Sequence, residues 1–146
     1  MKLSTRTRYG TRLMLRLALS YNEDPVFLKD IAKAEDISEK YLSQIIIPLK
    51  SAGLVNSFRG AKGGYILSKS PTQITLKDIV EVLEDDFNLA RCIEDPTVCR
   101  RVSICVTRDL WNKLGEKISQ TLEAITLADL VEQYHKKGKK EVVYHI

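Results

Sequence analysis

The stretch Arg59-Gly60-Ala61-Lys62-Gly63-Gly64 constrains this chain more than any other. It separates two β-prone runs, Leu54–Phe58 and Tyr65–Ser68, and glycines between two such runs predict a hairpin. The other patterned segments carry a helical period. The chain is therefore expected to be mainly α with one small β-hairpin.

Before the hairpin, Tyr9, Leu13 and Leu17 recur at four-residue spacing, with Met14 and Ala18 beside them, which predicts a helix over 5–20. Asn22-Glu23-Asp24-Pro25 interrupts it. A short helix over 27–34 shows Leu28, Ile31 and Ala32 on one face. Ser38 then suits an N-cap, with Glu39 complementing the positive helix end. In this third helix Leu42, Ile45, Ile46 and Leu49 make the apolar stripe. Pro48 is expected to bend it, and Gly53 to stop it.

The outer face of the third helix points to a partner. Lys40, Ser43, Gln44 and Ile47 face away from the stripe, with Tyr41 on its flank. A helix with a short, hydrogen-bonding outer face fits the major groove of DNA. Gln44 suits a bidentate pair with adenine, Ser43 suits base or phosphate, and Lys40 and Tyr41 suit phosphates or base edges. The hairpin would carry Arg59 and Lys62 to a neighbouring minor groove, where negative potential concentrates. Charge agrees: residues 1–70 hold 12 Lys and Arg against 6 Asp and Glu, whereas residues 71–146 hold 11 against 13. Arg6, Arg8 and Arg12 read as solvated charges with phosphate contact as their upper role. A three-helix core with a charged surface that binds protein instead of DNA is the bland alternative.

Beyond Ser70-Pro71, residues 75–84 predict an amphipathic helix. Val106, Leu110, Leu114, Ile118, Leu122 and Ile125 form a long apolar stripe, joined by Trp111. It is too long for the small domain of three helices and a hairpin to cover, so it is expected to pair with its symmetry mate in a two-fold dimer; an intramolecular core helix is the alternative. Two-fold symmetry in turn predicts a palindromic operator. Residues 126–134 read as a short helix and 135–146 as a tail, with His135 and His145 solvated. The expected organisation is a DNA-binding domain over 1–84, a cysteine-containing loop over 85–105, and a dimerisation helix with its short successor over 106–134.

Cys92, Cys99 and Cys105 are spaced C-x6-C-x5-C in that loop, flanked by Arg91, Arg100, Arg101 and Arg108. Positive charge favours thiolate, and thiolates ligate iron–sulfur clusters. Three from one loop could hold most of a [2Fe–2S] unit. A metal-free thiol sensor, a zinc site and incidental cysteines are the other readings, although zinc favours CxxC pairs that are absent here. No run of 18 apolar residues predicts a membrane span, and arginines interrupt the first apolar stretch, so a reducing cytoplasm is expected. Neither a Ser-His-Asp set nor a P-loop is present, which argues against an enzyme.

From Met1 to about residue 134 the chain resembles the Rrf2 family of bacterial winged-helix transcription regulators. The likeness rests on MKLSTRTRYGTRLMLRLAL, ISEKYLSQIIIPLKSAGLV and FRGAKGGYILSK, above all the RGxxGGY wing beside YLxQ. It implies a winged helix-turn-helix with a long dimerisation helix, and a homodimer on an imperfect inverted repeat of double-stranded DNA. It carries DNA contact onto Tyr41, Gln44 and Arg59, and less strictly onto Ser38, Lys40 and Ser43. The family's iron–sulfur sensors resemble this chain in carrying three cysteines in this loop. Three departures leave the fourth ligand unassigned. Arg108 stands where one branch has a His, Arg8 where another recruits an acid, and Ser43 where some relatives have a Glu. Glu94, Asp95 and Asp109 are chemically able to serve. The tail EVVYHI and the PLKSAGLV stretch resemble a branch that regulates cysteine metabolism through a partner protein. The resulting expectation is a homodimeric regulator, a repressor, whose operator affinity depends on a [2Fe–2S] cluster. A cluster-free regulator of sulfur metabolism is its rival.

Overall fold

The computed structural model describes residues 2–85 and 87–144, with side chains through Lys139. Its elements are α1 (Thr5–Leu19), α2 (Leu28–Glu35), α3 (Glu39–Ser51), β1 (Val55–Phe58), β2 (Gly64–Leu67), α4 (Leu76–Leu83), α5 (Arg91–Glu94), α6 (Val106–Ala124) and α7 (Leu127–Tyr144). Short 3-10 turns lie at Pro71–Gln73 and Pro96–Val98.

The apolar stripes meet in one core. Leu13, Met14 and Leu17 of α1, Leu42, Ile45 and Leu49 of α3, and Ile79 and Leu83 of α4 are all buried there. Gly10 permits the close approach of these helices: a Cβ at this position would lie 2.1 Å from Leu83 Cδ1 and 3.2 Å from Ile45 Cγ2. Helix α3 runs through Pro48 as far as Ser51, and Gly53 follows in the left-handed region at φ 77°.

The hairpin is antiparallel, from Val55 opposite Leu67 to Phe58 opposite Gly64. It is anchored on a second side. Val26 and Tyr65 exchange backbone hydrogen bonds of 3.0 and 2.8 Å, which ties the segment before α2 to β2. Gly64, at φ 126°, makes this approach feasible, because a Cβ there would lie 2.6 Å from the Val26 carbonyl oxygen.

The C-terminal helix also joins the core. Leu127 is fully buried, and Leu130 and Val131 pack against the same cluster. The entrances to α4 and α7 are clamped together, with the Leu76 N–H donating to the Ile125 carbonyl and the Leu127 N–H to the Ile74 carbonyl, both at 2.9 Å. Each entrance carries a reciprocal cap, Thr75 with Asp78 and Thr126 with Asp129.

Two elements differ from the sequence expectation. Helix α7 does not stop near residue 134 but continues to Tyr144, so residues 135–144 are helical and His135 is exposed on that helix. His145 lies outside the described residues. The expected cysteine loop contains a turn of helix, α5, and a 3-10 turn. Among the described residues no helix is long and apolar enough to cross a membrane.

Candidate nucleic-acid interface and cysteine loop

Of the residues expected to read DNA, Ser38, Lys40, Tyr41, Ser43 and Gln44 lie at the start of α3 and Arg59 and Lys62 at the hairpin tip. Asp36 adopts a left-handed conformation at φ 53°, which turns the chain from α2 into α3. Ser38 is spent locally: its hydroxyl accepts the Tyr41 N–H at 3.3 Å and so caps α3. Lys40, Ser43 and Gln44 are exposed, and the Ser43 hydroxyl donates to the Lys40 carbonyl at 2.6 Å. Tyr41 is half-buried, its ring edge-on to Tyr9 of α1 with centroids 5.8 Å apart. Ile47 lies on the same outer face and is 63% exposed.

Helix α1 fixes this unit through charge. Glu35, the last residue of α2, accepts from Arg12 Nε at 2.8 Å and from Arg16 Nε at 2.5 Å. Arg12 also donates to the Glu35 carbonyl. Arg12 stays exposed, as expected of a solvated charge, but its guanidinium is also engaged by Glu35 from across the helix pair. Arg6 faces Asp85 at 3.7 Å, and Arg8 is exposed, donating to Thr5 at 3.2 Å. Arg16 also lies over the Tyr134 ring at 5.5 Å, so α7 touches the same network. The Glu35 hydrogen bond is the main reason the Arg16 guanidinium is held above its ordinary pKa.

The wing presents its cations to solvent. Arg59 and Lys62 are exposed at the tip, which closes with the Gly63 N–H donating to the Gly60 carbonyl at 2.9 Å. Neither cation has an ion-pair partner among the described residues.

The three cysteines are free thiols with different settings. Cys92 lies half-buried on α5, Cys99 is exposed after the 3-10 turn, and half-buried Cys105 occupies the N-cap of α6. The Thr107 hydroxyl, 3.2 Å from Cys105 Sγ, and then the Arg108 backbone N–H hold that thiol below the usual range. Arg108 Nε donates to the Cys92 carbonyl at 3.1 Å and so ties α6 to α5. Asp95 is engaged by the Thr97 N–H at 2.9 Å and hydroxyl at 2.6 Å, which keep its carboxyl below the usual range; Glu94 and Asp109 are exposed. Among the described residues no three His, Cys, Asp or Glu side chains are gathered into a group able to hold a metal ion.

Helix α6 has no buried residue, and Val106, Leu110, Trp111 and Leu114 are 80, 55, 42 and 40% exposed. Its distal Ile118 and Leu122 line a cavity of about 460 Å³ with Leu3, Phe87 and Leu89.

A family model described as "Rrf2: Iron-dependent Transcriptional regulator" matches residues 3–133. The chain belongs to the Rrf2 family. Protein rrf2 of Nitratidesulfovibrio vulgaris is 41% identical over 131 residues, covering 90% of this chain and 87% of that protein. The HTH-type transcriptional regulator CymR of Bacillus subtilis is 41% identical over 130 residues, 89% of each chain. The solved structure of CymR, named as the global cysteine regulator of B. subtilis, superposes with a TM-score of 0.77 at 39% identity, covering 91% of this chain and 98% of that one. T. potens IscR superposes with a TM-score of 0.77 at 40% identity, covering 92% and 88%. This Rrf2 chain is accordingly a winged-helix, DNA-binding transcriptional regulator, and its relatives are named as regulators rather than enzymes. The sequence motifs missed Glu35 and Arg16, whose pairing joins residues far apart along the chain.

Proposed function

We propose that this Rrf2 regulator is a homodimeric repressor that reads an inverted-repeat operator and whose affinity for it is set by a [2Fe–2S] cluster on Cys92, Cys99 and Cys105. The observation that carries the sensor is the placement of three free thiols on a segment that starts beside Glu84, at the end of the DNA-reading domain, and ends at the N-cap of α6. Three thiolates supply three of the four ligands that a [2Fe–2S] cluster takes, with the fourth unassigned. The description of the family as iron-dependent supports the same reading. A bound cluster supplies a redox-labile centre. The chain's own part is to order the loop: the separate settings of the thiols mean that gathering them shifts α5 against α6. A tenfold change in operator affinity needs only about 1.4 kcal/mol of difference between the two states.

On the DNA side, Gln44, Ser43, Lys40 and Tyr41 enter the major groove, with Arg59 and Lys62 beside it in the minor groove. The exposed apolar face of α6 pairs with its two-fold mate, which places two recognition helices on one duplex. The location is a reducing compartment, the cytoplasm, where free thiols persist.

A second reading has its own observation. Arg108 clamps the Cys92 carbonyl and offers no ligand, and CymR is as similar to this chain as IscR is. On that reading the thiols, or a partner protein, set DNA affinity without a cluster.

Anaerobic purification separates the two. The first expects a red-brown protein with iron and sulfide in equal amounts, lost in Cys99→Ala. A colourless protein whose DNA affinity still responds to thiol oxidation would establish the second.

A further inference from the structure

Helix α3 carries three consecutive isoleucines with opposite fates. Ile45 and Ile46 are 1 and 3% exposed in the core, whereas Ile47 is 63% exposed, the one large apolar side chain that α3 leaves in water. Its position is set by helical geometry. Lys40, Ser43, Gln44 and Ile47 follow the i, i+3, i+4, i+7 spacing and form a single exposed stripe. Within this stripe Ile47 follows Gln44 by nearly one turn, and the described residues leave most of it exposed. Core packing does not account for it, because Leu42, Ile45, Ile46 and Leu49 already fill the inner face.

We propose that Ile47 is a specificity-determining residue that packs against the C5-methyl group of a thymine in each operator half-site. The proposal rests on the DNA-binding reading of α3 and extends it to one base. The chemistry points to thymine because its C5-methyl is the one apolar group a base edge presents in the major groove. The three polar side chains of the stripe serve hydrogen-bonding edges or phosphates; an isoleucine can serve neither. A β-branched side chain in a helix is also nearly fixed at χ1, so little rotamer freedom is lost when it is covered.

The test uses an operator selected by the wild-type full chain from random duplexes. Thymines are replaced one at a time by deoxyuridine, which removes only the methyl group, and binding is followed by fluorescence anisotropy for wild type and Ile47→Ala. One replacement per half-site is expected to weaken wild-type binding about fourfold, the factor for one buried methyl. Ile47→Ala is expected to bind the thymine operator more weakly and to be indifferent to that same replacement. Because Ile47 is exposed, the variant is expected to keep the wild-type melting temperature, and a matching melting temperature excludes misfolding as the cause. Wild-type binding that ignores every replacement, an operator with no thymine in its half-sites, or an equal loss in both proteins overturns the proposal and leaves DNA reading intact. Failure of the wild type to prefer any duplex overturns both.

Discussion

The hydroxyl of Thr7 donates to the carboxylate of Glu84 at 2.5 Å, joining the first turn of α1 to the C-cap residue just after α4. The same carboxylate accepts the Ser4 N–H at 3.2 Å and the Ser4 hydroxyl at 3.1 Å. Thr7 is buried, and Glu84 leads directly into the cysteine segment, so this is where that segment meets the DNA-reading core.

These donors, Thr7 foremost, hold the Glu84 carboxyl below its ordinary pKa. A carboxyl depressed on folding stabilises the protein above its unfolded pKa and loses that contribution as pH falls through the folded value. The melting-temperature gap between wild type and Glu84→Gln is therefore expected to be constant near neutrality and to shrink below the usual glutamate value of about 4.3. A gap that widens in acid contradicts the assignment. Thr7→Val keeps the shape, loses the donor and should cost about 1 kcal/mol by urea denaturation, since part of the interaction is screened by solvent.

The contact at Gly10 predicts a coupling. Gly10→Ala gains helix propensity of about 1 kcal/mol but forces Leu83 aside, and overpacking costs about 1–3 kcal/mol. Net destabilisation is expected in the wild-type background and relief of it in Leu83→Ala. Equal effects in both backgrounds, measured as a double-mutant cycle, would show that the two side chains do not compete for space.

Gln44 and Arg59 should fail differently. Gln44→Ala is expected to lose about 1–3 kcal/mol of discrimination at one base pair per half-site, seen on single-base operator variants. Arg59→Ala should weaken binding across sequences and flatten the salt dependence by about one counterion per protomer, with the greatest loss where an A·T-rich minor groove flanks the site. Unchanged binding in both would remove the docking geometry.

The exposed face of α6 predicts an assembly state. Leu110→Glu puts a charge into the expected helix pair and should convert a dimer to monomer in sedimentation equilibrium, with operator affinity falling in step. A variant that stays dimeric places the interface elsewhere.

Local pattern carried much of this protein. The 3.6-residue stripes of α1, α3 and α4, the Ser38 cap, the Gly53 stop and the glycine hairpin are written in neighbouring residues, because period and cap chemistry act over a few positions. The stripe on α6 was equally legible, and its first half, Val106, Leu110 and Leu114 with Trp111, stays exposed among the described residues. The end of α7 was not legible. The run His135-Lys136-Lys137-Gly138-Lys139-Lys140 shows no apolar stripe, yet the helix continues through it, aided by the Lys136–Glu132 pair at 2.9 Å.

What the sequence determined alone was α1 to α4, the hairpin and the start of α6, and which face of each helix is apolar. The tertiary structure decided which polar groups are free to act. Arg12 and Arg59 look alike in the sequence, yet one is bound by Glu35 and the other is open to solvent at the wing tip. The clamp between the entrances of α4 and α7, and the bond from Thr7 to Glu84, likewise join residues far apart along the chain. Such pairings leave no periodic trace, because they exist only once packing has brought distant segments within hydrogen-bond reach.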